Sequence, residues 1–467
     1  MTPSDLVTLL PVFILALTIV GVLLTLTCHR NHRITATLTV IGLALAGLAV
    51  LPAPASPHVM KLLVMDGIAR FFMGLIIAAT AAVALLAVGY LPRLDEPPEE
   101  FYLLLLLATL GSCVLVASTH FVSFFLGLEL LSVSLYALIA YPRGQKGSLE
   151  AGFKYLVLAA TSAAFLLFGL ALIYAEAGSM EFAHLSTSPT LMVLAGVGLV
   201  IVGVGFKLAL VPFHWWTPDV YEGAPAPVTA YVATVSKGAI FALLLRFFSQ
   251  APLENSRALV VVFWIIAIGS MVAGNLLALL QNNVKRILAY SSIAHLGYLL
   301  VAFLANGELR LTAVAYYFVA YFVTMLGAFG VVTVLTGPAG EPGMIADYRG
   351  LFWRRPWLAG IFTAMLLSLA GIPLTAGFVG KFLLVAAGVG AGLWPLLATL
   401  VITSVIGLFY YLRIVVVLYE TPEQPAAATP PLSKIGLAVL AALTLLLVGL
   451  GVYPTPLVTL IQAVMVN

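Results

Sequence analysis

Apolar residues in this chain come in blocks of about 20, separated by short segments that hold most of the charges. A helix of that length is what crosses the roughly 30 Å hydrocarbon layer of a bilayer. The blocks predict spans near 5–28, 34–52, 66–91, 101–118, 120–141, 154–176, 191–213, 224–248, 258–280, 286–305, 311–335, 358–388, 394–419 and 433–461, about 14 helices. A membrane barrel would need short alternating strands instead. The first apolar run is longer than a signal-peptide core and no basic segment precedes it, so the expectation is a retained first helix.

Of the 467 residues, 63% are hydrophobic and 8% charged, so the position of each charge matters more than the net +3. No basic run is long enough to hold nucleic acid. The two cysteines, Cys28 and Cys113, form neither a CxxC pair nor a disulfide framework, which argues against iron–sulfur and structural zinc sites in this chain. No metal or dinucleotide motif is present, because the glycine patterns lie inside apolar helices and not in a strand-to-helix turn.

Basic residues concentrate on alternate loops. The odd loops carry Arg30, Arg33, Arg93, Arg143, Lys146, Lys154, Lys285, Arg286, Arg349, Arg354, Arg355 and Lys434, the even ones only Lys61, Arg246, Arg257 and Arg310. The positive-inside rule then turns the odd loops to the cytoplasm and both termini to the periplasm of a bacterial plasma membrane. Trp215, Trp216, Trp353 and Trp357 fall beside these loops and predict interfacial anchors. The loops PRLDEPPEE and 336–357 read as contact surfaces for a partner or as solvated loops. Arg70 and Arg413 lie near helix ends, where snorkelling is expected.

The chain divides into a three-helix segment (1–100), two five-helix units (101–248 and 258–419) and a C-terminal helix (420–467). Each unit holds one Gly/Pro-interrupted span with a lysine, which points to a transporter built from repeats, and units with an odd number of spans have opposite topology.

The membrane interior holds a few ionisable residues. Glu129 in FFLGLELLSV lies about 15 Å into its span, near the midplane. Lys237 in VATVSKGAIF and His295 in SSIAHLGY fall at a similar depth. In GVGFKLALVPFHWW, Gly203, Gly205 and Pro212 predict a broken helix around Lys207. The twelfth span, SLAGIPLTAGFVGKFLL, predicts a break at Gly371 and Pro373, with Lys381 about 12 Å further along the axis.

Each intramembrane charge opposes insertion by about 2.5–3.5 kcal/mol, roughly 10–14 kcal/mol for Glu129, Lys207, Lys237 and Lys381 together. Pairing, hydration or a lysine that can sit neutral and take up a proton offsets that cost. Lys207 is then a switchable proton carrier with Glu129 as counter-ion, and His295 a relay between the halves. A static ion pair for Glu129, a hydrogen bond to a neighbouring helix for His295 and packing for His214 are the alternative readings.

The segments FKLALVPFHWWTPDVYEGAPAPVTAYVATVSKGAIF, NNVKRILAYSSIAHLGYLLVA, DYRGLFWRRP and SLAGIPLTAGFVGKFLL resemble the antiporter-like membrane subunits of proton-pumping NADH:quinone oxidoreductase, respiratory complex I, over nearly the whole chain. The resemblance implies an all-α membrane protein with 14 helices, two inverted five-helix repeats and discontinuous helices 7 and 12. It implies proton transfer through Glu129, Lys207, Lys237 and Lys381, and makes Lys154 in GFKYLVL a further family lysine. No cofactor is expected in this chain. FMN, iron–sulfur clusters, NADH and quinone belong to partner subunits, and antiporter-like neighbours, small helical subunits and lipid are the expected contacts. The chain stops soon after span 14, whereas one sibling of the family ends in a lateral helix and an extra span. A subunit of a multi-protein sodium/proton antiporter or of a membrane-bound hydrogenase shares the same helices.

Overall fold

Side-chain caps set where six of the helices begin. Asn31 accepts from the backbone N–H groups of Arg33 and Ile34, Asp66 from Ala69, His120 from Val122, Thr190 from Val193, Asn283 from Arg286 and Ser433 from Gly436, each at a helix N-terminus. The computed structural model describes residues 3–51, 56–59, 61–94, 96–184, 190–250, 256–337, 340–421 and 432–466.

The helices are α1 Leu10–Cys28, α2 His32–Val50, α3 Gly67–Tyr90, α4 Glu99–Ala117, α5 Phe121–Ile139, α6 Lys146–Ala177 and α7a Leu191–Leu208 with α7b Trp216–Gly223. They continue as α8 Ala226–Gln250, α9 Arg257–Leu279, α10 Val284–Leu304, α11 Leu309–Leu335, α12a Pro356–Ala370 with α12b Ala376–Gly390, α13 Trp394–Tyr419 and α14 Lys434–Val452. Thirteen are long and apolar enough to cross a membrane alone, and the two halves of α12 together make the fourteenth crossing. A short hairpin, Ser56–Val59 with Leu63–Met65, is the only strand pair among the described residues. The protein is an all-α integral membrane protein, and large apolar side chains such as Leu17, Leu48, Phe168 and Phe409 face outward, as a bilayer or a membrane neighbour requires.

Loop contacts obey the alternation of a multi-pass chain. Arg30 pairs with Glu100, Arg143 with Glu96 and Lys285 with Glu341, all between odd loops or the helix ends beside them. Lys61 pairs with Glu181 and Arg246 with Asp66 on the even side. The predicted spans agree within a few residues, with two differences. Helix α6 begins at Lys146, so Lys154 stands two turns inside it, and the last span ends at Val452, with a separate short helix at Thr455–Ile461.

Both predicted breaks are present. Helix α7a stops where Ala209 turns left-handed (φ 60°), and Leu210 N–H bonds back to Gly205 O at 2.8 Å. Helix α12a stops at Gly371, whose φ of 85° suits a residue without a Cβ. The halves of α12 then approach so closely that a Cβ on Gly377 would stand 1.9 Å from Ser368 O.

Trp216 is not an interfacial anchor. It is 2% exposed, because its indole N–H caps Phe206 O of the broken helix at 2.8 Å, while Trp215, Trp353 and Trp357 are exposed. Arg413 does not snorkel freely but donates to the carbonyls of Leu279 and Gln281 at the end of α9.

On the even face, Arg246, 1% exposed, makes a bidentate pair with Asp66 (2.6 and 2.7 Å) and also donates to Val116 O. This joins the end of α8 to the start of α3 and the end of α4. Burial works to raise the Asp66 carboxyl, but the Arg246 guanidinium and the Ala69 N–H outweigh it and hold it below its ordinary value of 3.8. A depressed folded value stabilises the protein above the ordinary value, and that contribution is lost as pH falls through the depressed one. Asp66→Asn should therefore lower the thermal midpoint in detergent at neutral pH, and the gap to the native protein should close on acidification below pH 3.8.

Candidate functional site

Three lysines lie inside the helix bundle, and each meets the same two kinds of group. Lys207, at the end of α7a, donates to Ser132 Oγ on α5 at 2.7 Å and stands 5.2 Å from the centre of the Tyr155 ring. Lys237 on α8 donates to Ser292 Oγ on α10 at 2.6 Å and stands 5.5 Å from the Tyr221 ring. Lys381 on α12b donates to Ser404 Oγ on α13 at 2.6 Å and stands 5.3 Å from the Tyr298 ring. None of the three ends on a carboxylate.

The breaks explain how two of them are tolerated. A helix C-terminus presents unpaired carbonyls and the negative end of the helix dipole, which favours a cation. Lys207 lies in the last turn of α7a. Lys381 folds back along its own half-helix, so its Nζ is not 12 Å from the break but bonds Ala370 O, the end of α12a, at 2.9 Å. Lys237 is 0% exposed and follows a π-turn at Val232–Ser236, a local widening common at functional sites.

Hydroxyls surround Lys237 and His295. Ser292 also meets Tyr321 OH at 2.6 Å and Tyr221 OH at 3.3 Å. One turn further on α10, His295 Nδ1 bonds Tyr317 OH at 2.7 Å and Nε2 meets Tyr411 OH at 3.3 Å, and Tyr411 bonds Ser291. The imidazole lies against Tyr321 on the Lys237 side and Tyr298 on the Lys381 side, at ring distances of 5.7 and 5.4 Å. His295 therefore sits between the two lysines.

Glu129 is not in an ion pair with Lys207. Lys207 reaches Ser132, one turn along α5, and Glu129 Oε1 is buried without a hydrogen-bond partner. Its face of α5 also carries the exposed Leu126 and Val133, yet the carboxylate stands near enough to Lys207 and Tyr155 to act on both through its charge.

The two further candidates differ from this set. Lys154 is partly exposed and paired with Glu150 at 2.7 Å and Asp219 at 2.8 Å, and Asp219 also takes Arg286 at 2.8 Å. His214 is buried and stacked on Trp215 in the turn between α7a and α7b. The serines and tyrosines went unnoticed in the sequence, although Ser132 and Ser292 each stand three residues from a flagged ionisable group, one helical turn away.

Fold and site define a multi-pass membrane protein with ionisable and hydroxyl groups buried in its interior. Residues 118–407 match the family described as NADH:quinone oxidoreductase/Mrp antiporter, TM, and the chain belongs to that family. It is similar to a chain of respiratory complex I from Thermus thermophilus, at 34% identity and a TM-score of 0.84 over 96% of this chain and 98% of that one. A chain of the archaeal membrane-bound sulfane sulfur reductase matches at 25% identity and a TM-score of 0.87, over 98% and 96%. A chain of the Mrp complex from Dietzia sp. DQ12-45-1b shares the fold at 22% identity and a TM-score of 0.88, over 99% and 97%. The protein is an antiporter-like membrane subunit.

A hydrogen bond to a charged group contributes roughly 1.5–3 kcal/mol. Ser132→Ala or Ser404→Ala removes a hydroxyl partner from a buried ammonium and should lower the thermal midpoint of the protein in detergent, read by differential scanning fluorimetry.

Proposed function

We propose that the chain is the subunit-N type component of a bacterial respiratory complex I, moving protons without redox chemistry of its own. One observation carries the reading: three buried lysines, each on a serine hydroxyl instead of a carboxylate, with His295 lying between Lys237 and Lys381. A carboxylate's negative charge favours the ammonium over the amine, whereas a neutral hydroxyl accepts from an ammonium or donates to an amine without that bias. Lys207, Lys237 and Lys381 can thus change protonation state without losing their partners.

In this reading 101–248 and 258–419 are the two functional halves, each with one broken helix. On the same reading Glu129, whose charge acts on Lys207, also feels the charge of a neighbouring antiporter-like or small helical subunit. Quinone reduction elsewhere in the complex changes the charge state at Glu129, Lys207 responds, and the proton passes by Lys237 and His295 to Lys381. NADH, FMN, the iron–sulfur clusters and quinone lie in the partner subunits. The odd loops face the cytoplasm and both termini the periplasm. The higher identity to the complex I chain than to the other two supports this assembly.

Lys207→Ala and Glu129→Gln should each reduce proton pumping and coupled quinone reduction together in an intact complex, and unchanged pumping overturns the carrier role. The shared fold with an Mrp chain supports a second reading, a sodium/proton antiporter subunit. Purification of the tagged protein in mild detergent separates them: the first predicts NADH oxidation with a quinone acceptor in what co-purifies, the second sodium-dependent exchange without it.

A further inference from the structure

Glu341, in the loop between α11 and α12a, occupies a position that the proton route leaves unused. Its Oε1 accepts from Tyr90 OH at 2.6 Å and from the Ala226 N–H at 2.7 Å, and its Oε2 from the Lys285 ammonium at 2.6 Å. Lys285 also donates to Ala224 O at 2.7 Å. One carboxylate thereby ties the end of α3, the first residue of α8 and the start of α10 to a loop. That loop is itself pinned to α10, by Val284 N–H on Gly343 O at 2.7 Å and Ile345 N–H on Asn282 O at 2.9 Å.

Outside this knot lies a cleft of about 600 Å³ on the odd-loop face, lined by Arg93, Glu96 and Glu222 together with Tyr90, Lys285 and Glu341. Inside it lies the way to Lys237. The Thr229 hydroxyl bonds the carbonyls of Ala224 and Tyr221 at 3.3 and 3.2 Å, and Tyr221 OH meets the Ser292 hydroxyl that holds Lys237. The Glu341 knot is thus a barrier between the cleft and the first buried lysine on that side.

The bonds of the knot differ in what they need. Tyr90 and the Ala226 N–H can bond a neutral carboxyl oxygen, but the Lys285 contact depends on the negative charge. We propose that Glu341 is the proton-uptake gate of the chain: a proton from water in the cleft binds Oε2, the ion pair with Lys285 is released, and water reaches the Tyr221–Ser292–Lys237 hydroxyls. Loss of that proton restores the carboxylate and recloses the pair. Only an O–H bond forms and breaks, and the local charge changes by one proton. The inference rests on the reading of Lys237 as a proton carrier and on the odd face being cytoplasmic.

The test uses the whole complex in inside-out membrane vesicles, with Cys28→Ser and Cys113→Ser to remove native thiols and Thr229→Cys as the reporter beneath the gate. The probe is a cationic methanethiosulfonate. Glu341→Gln keeps the acceptor for Tyr90 and Ala226 N–H but imitates the protonated state. It should label Cys at position 229 about tenfold faster than the chain with Glu341 intact, the effect of losing one charge-assisted bond. Lys285→Met should accelerate labelling likewise. Equal rates in complexes assembled to the same level overturn the gate. Lys237→Met should leave labelling unchanged while abolishing pumping, so the carrier reading and the gate can fail separately.

Discussion

A neutral hydroxyl beside a lysine leaves both the ammonium and the amine with a partner, while a carboxylate's negative charge favours the ammonium alone. That difference in charge divides these buried and paired cations into two groups. Lys285, Lys154, Arg286 and Arg246 end on Glu341, Asp219, Glu222 and Asp66, near one or other end of the bundle. Lys207, Lys237 and Lys381 end on Ser132, Ser292 and Ser404 inside it. The outer pairs fix helices to one another, and the inner contacts put no carboxylate in contact with the lysines.

The broken helices make the inner contacts possible. An unpaired ammonium near the bilayer centre is costly, and the C-terminal carbonyls of a half-helix offset part of that cost without adding a carboxylate. At Lys207 the half-helix is its own, and at Lys381 it is the preceding half of the same span, reached through Ala370 O. The break in α7 does a second thing. It places Tyr221 of α7b over Lys237 while leaving Lys207 at the end of α7a, so one interrupted helix serves two lysines.

The spans were legible because length and apolarity alone decide what crosses a bilayer, and the breaks because Gly371, Pro212 and Pro373 leave few helical alternatives. Counting residues along helices gives an expected depth for Glu129, Lys237 and His295. Partner choice does not follow from such counting, because it depends on the rotation of one helix against another. Glu129 pointed to Lys207 by charge, yet Ser132, one turn away, makes the contact. Serines inside apolar helices are ordinary, commonly bonding their own helix as Ser132 does with Leu128 O, so nothing marks the three that meet lysines. Trp216 misled for a related reason: its neighbourhood is interfacial in sequence, but the break turns its indole inward to Phe206 O. Glu341 sits in a loop whose folding against α10 no local pattern announces.

The most direct test replaces the hydroxyl that holds Lys237 with a carboxylate. Ser292→Asp keeps an oxygen beside Lys237 but makes the contact a fixed ion pair, while Ser292→Thr keeps the hydroxyl. Proton translocation would be measured in liposomes holding complexes assembled to the native level. The account predicts pumping with threonine and none with aspartate. Pumping at the native rate with aspartate would contradict it, because the hydroxyl partner would then not be what lets Lys237 exchange its proton.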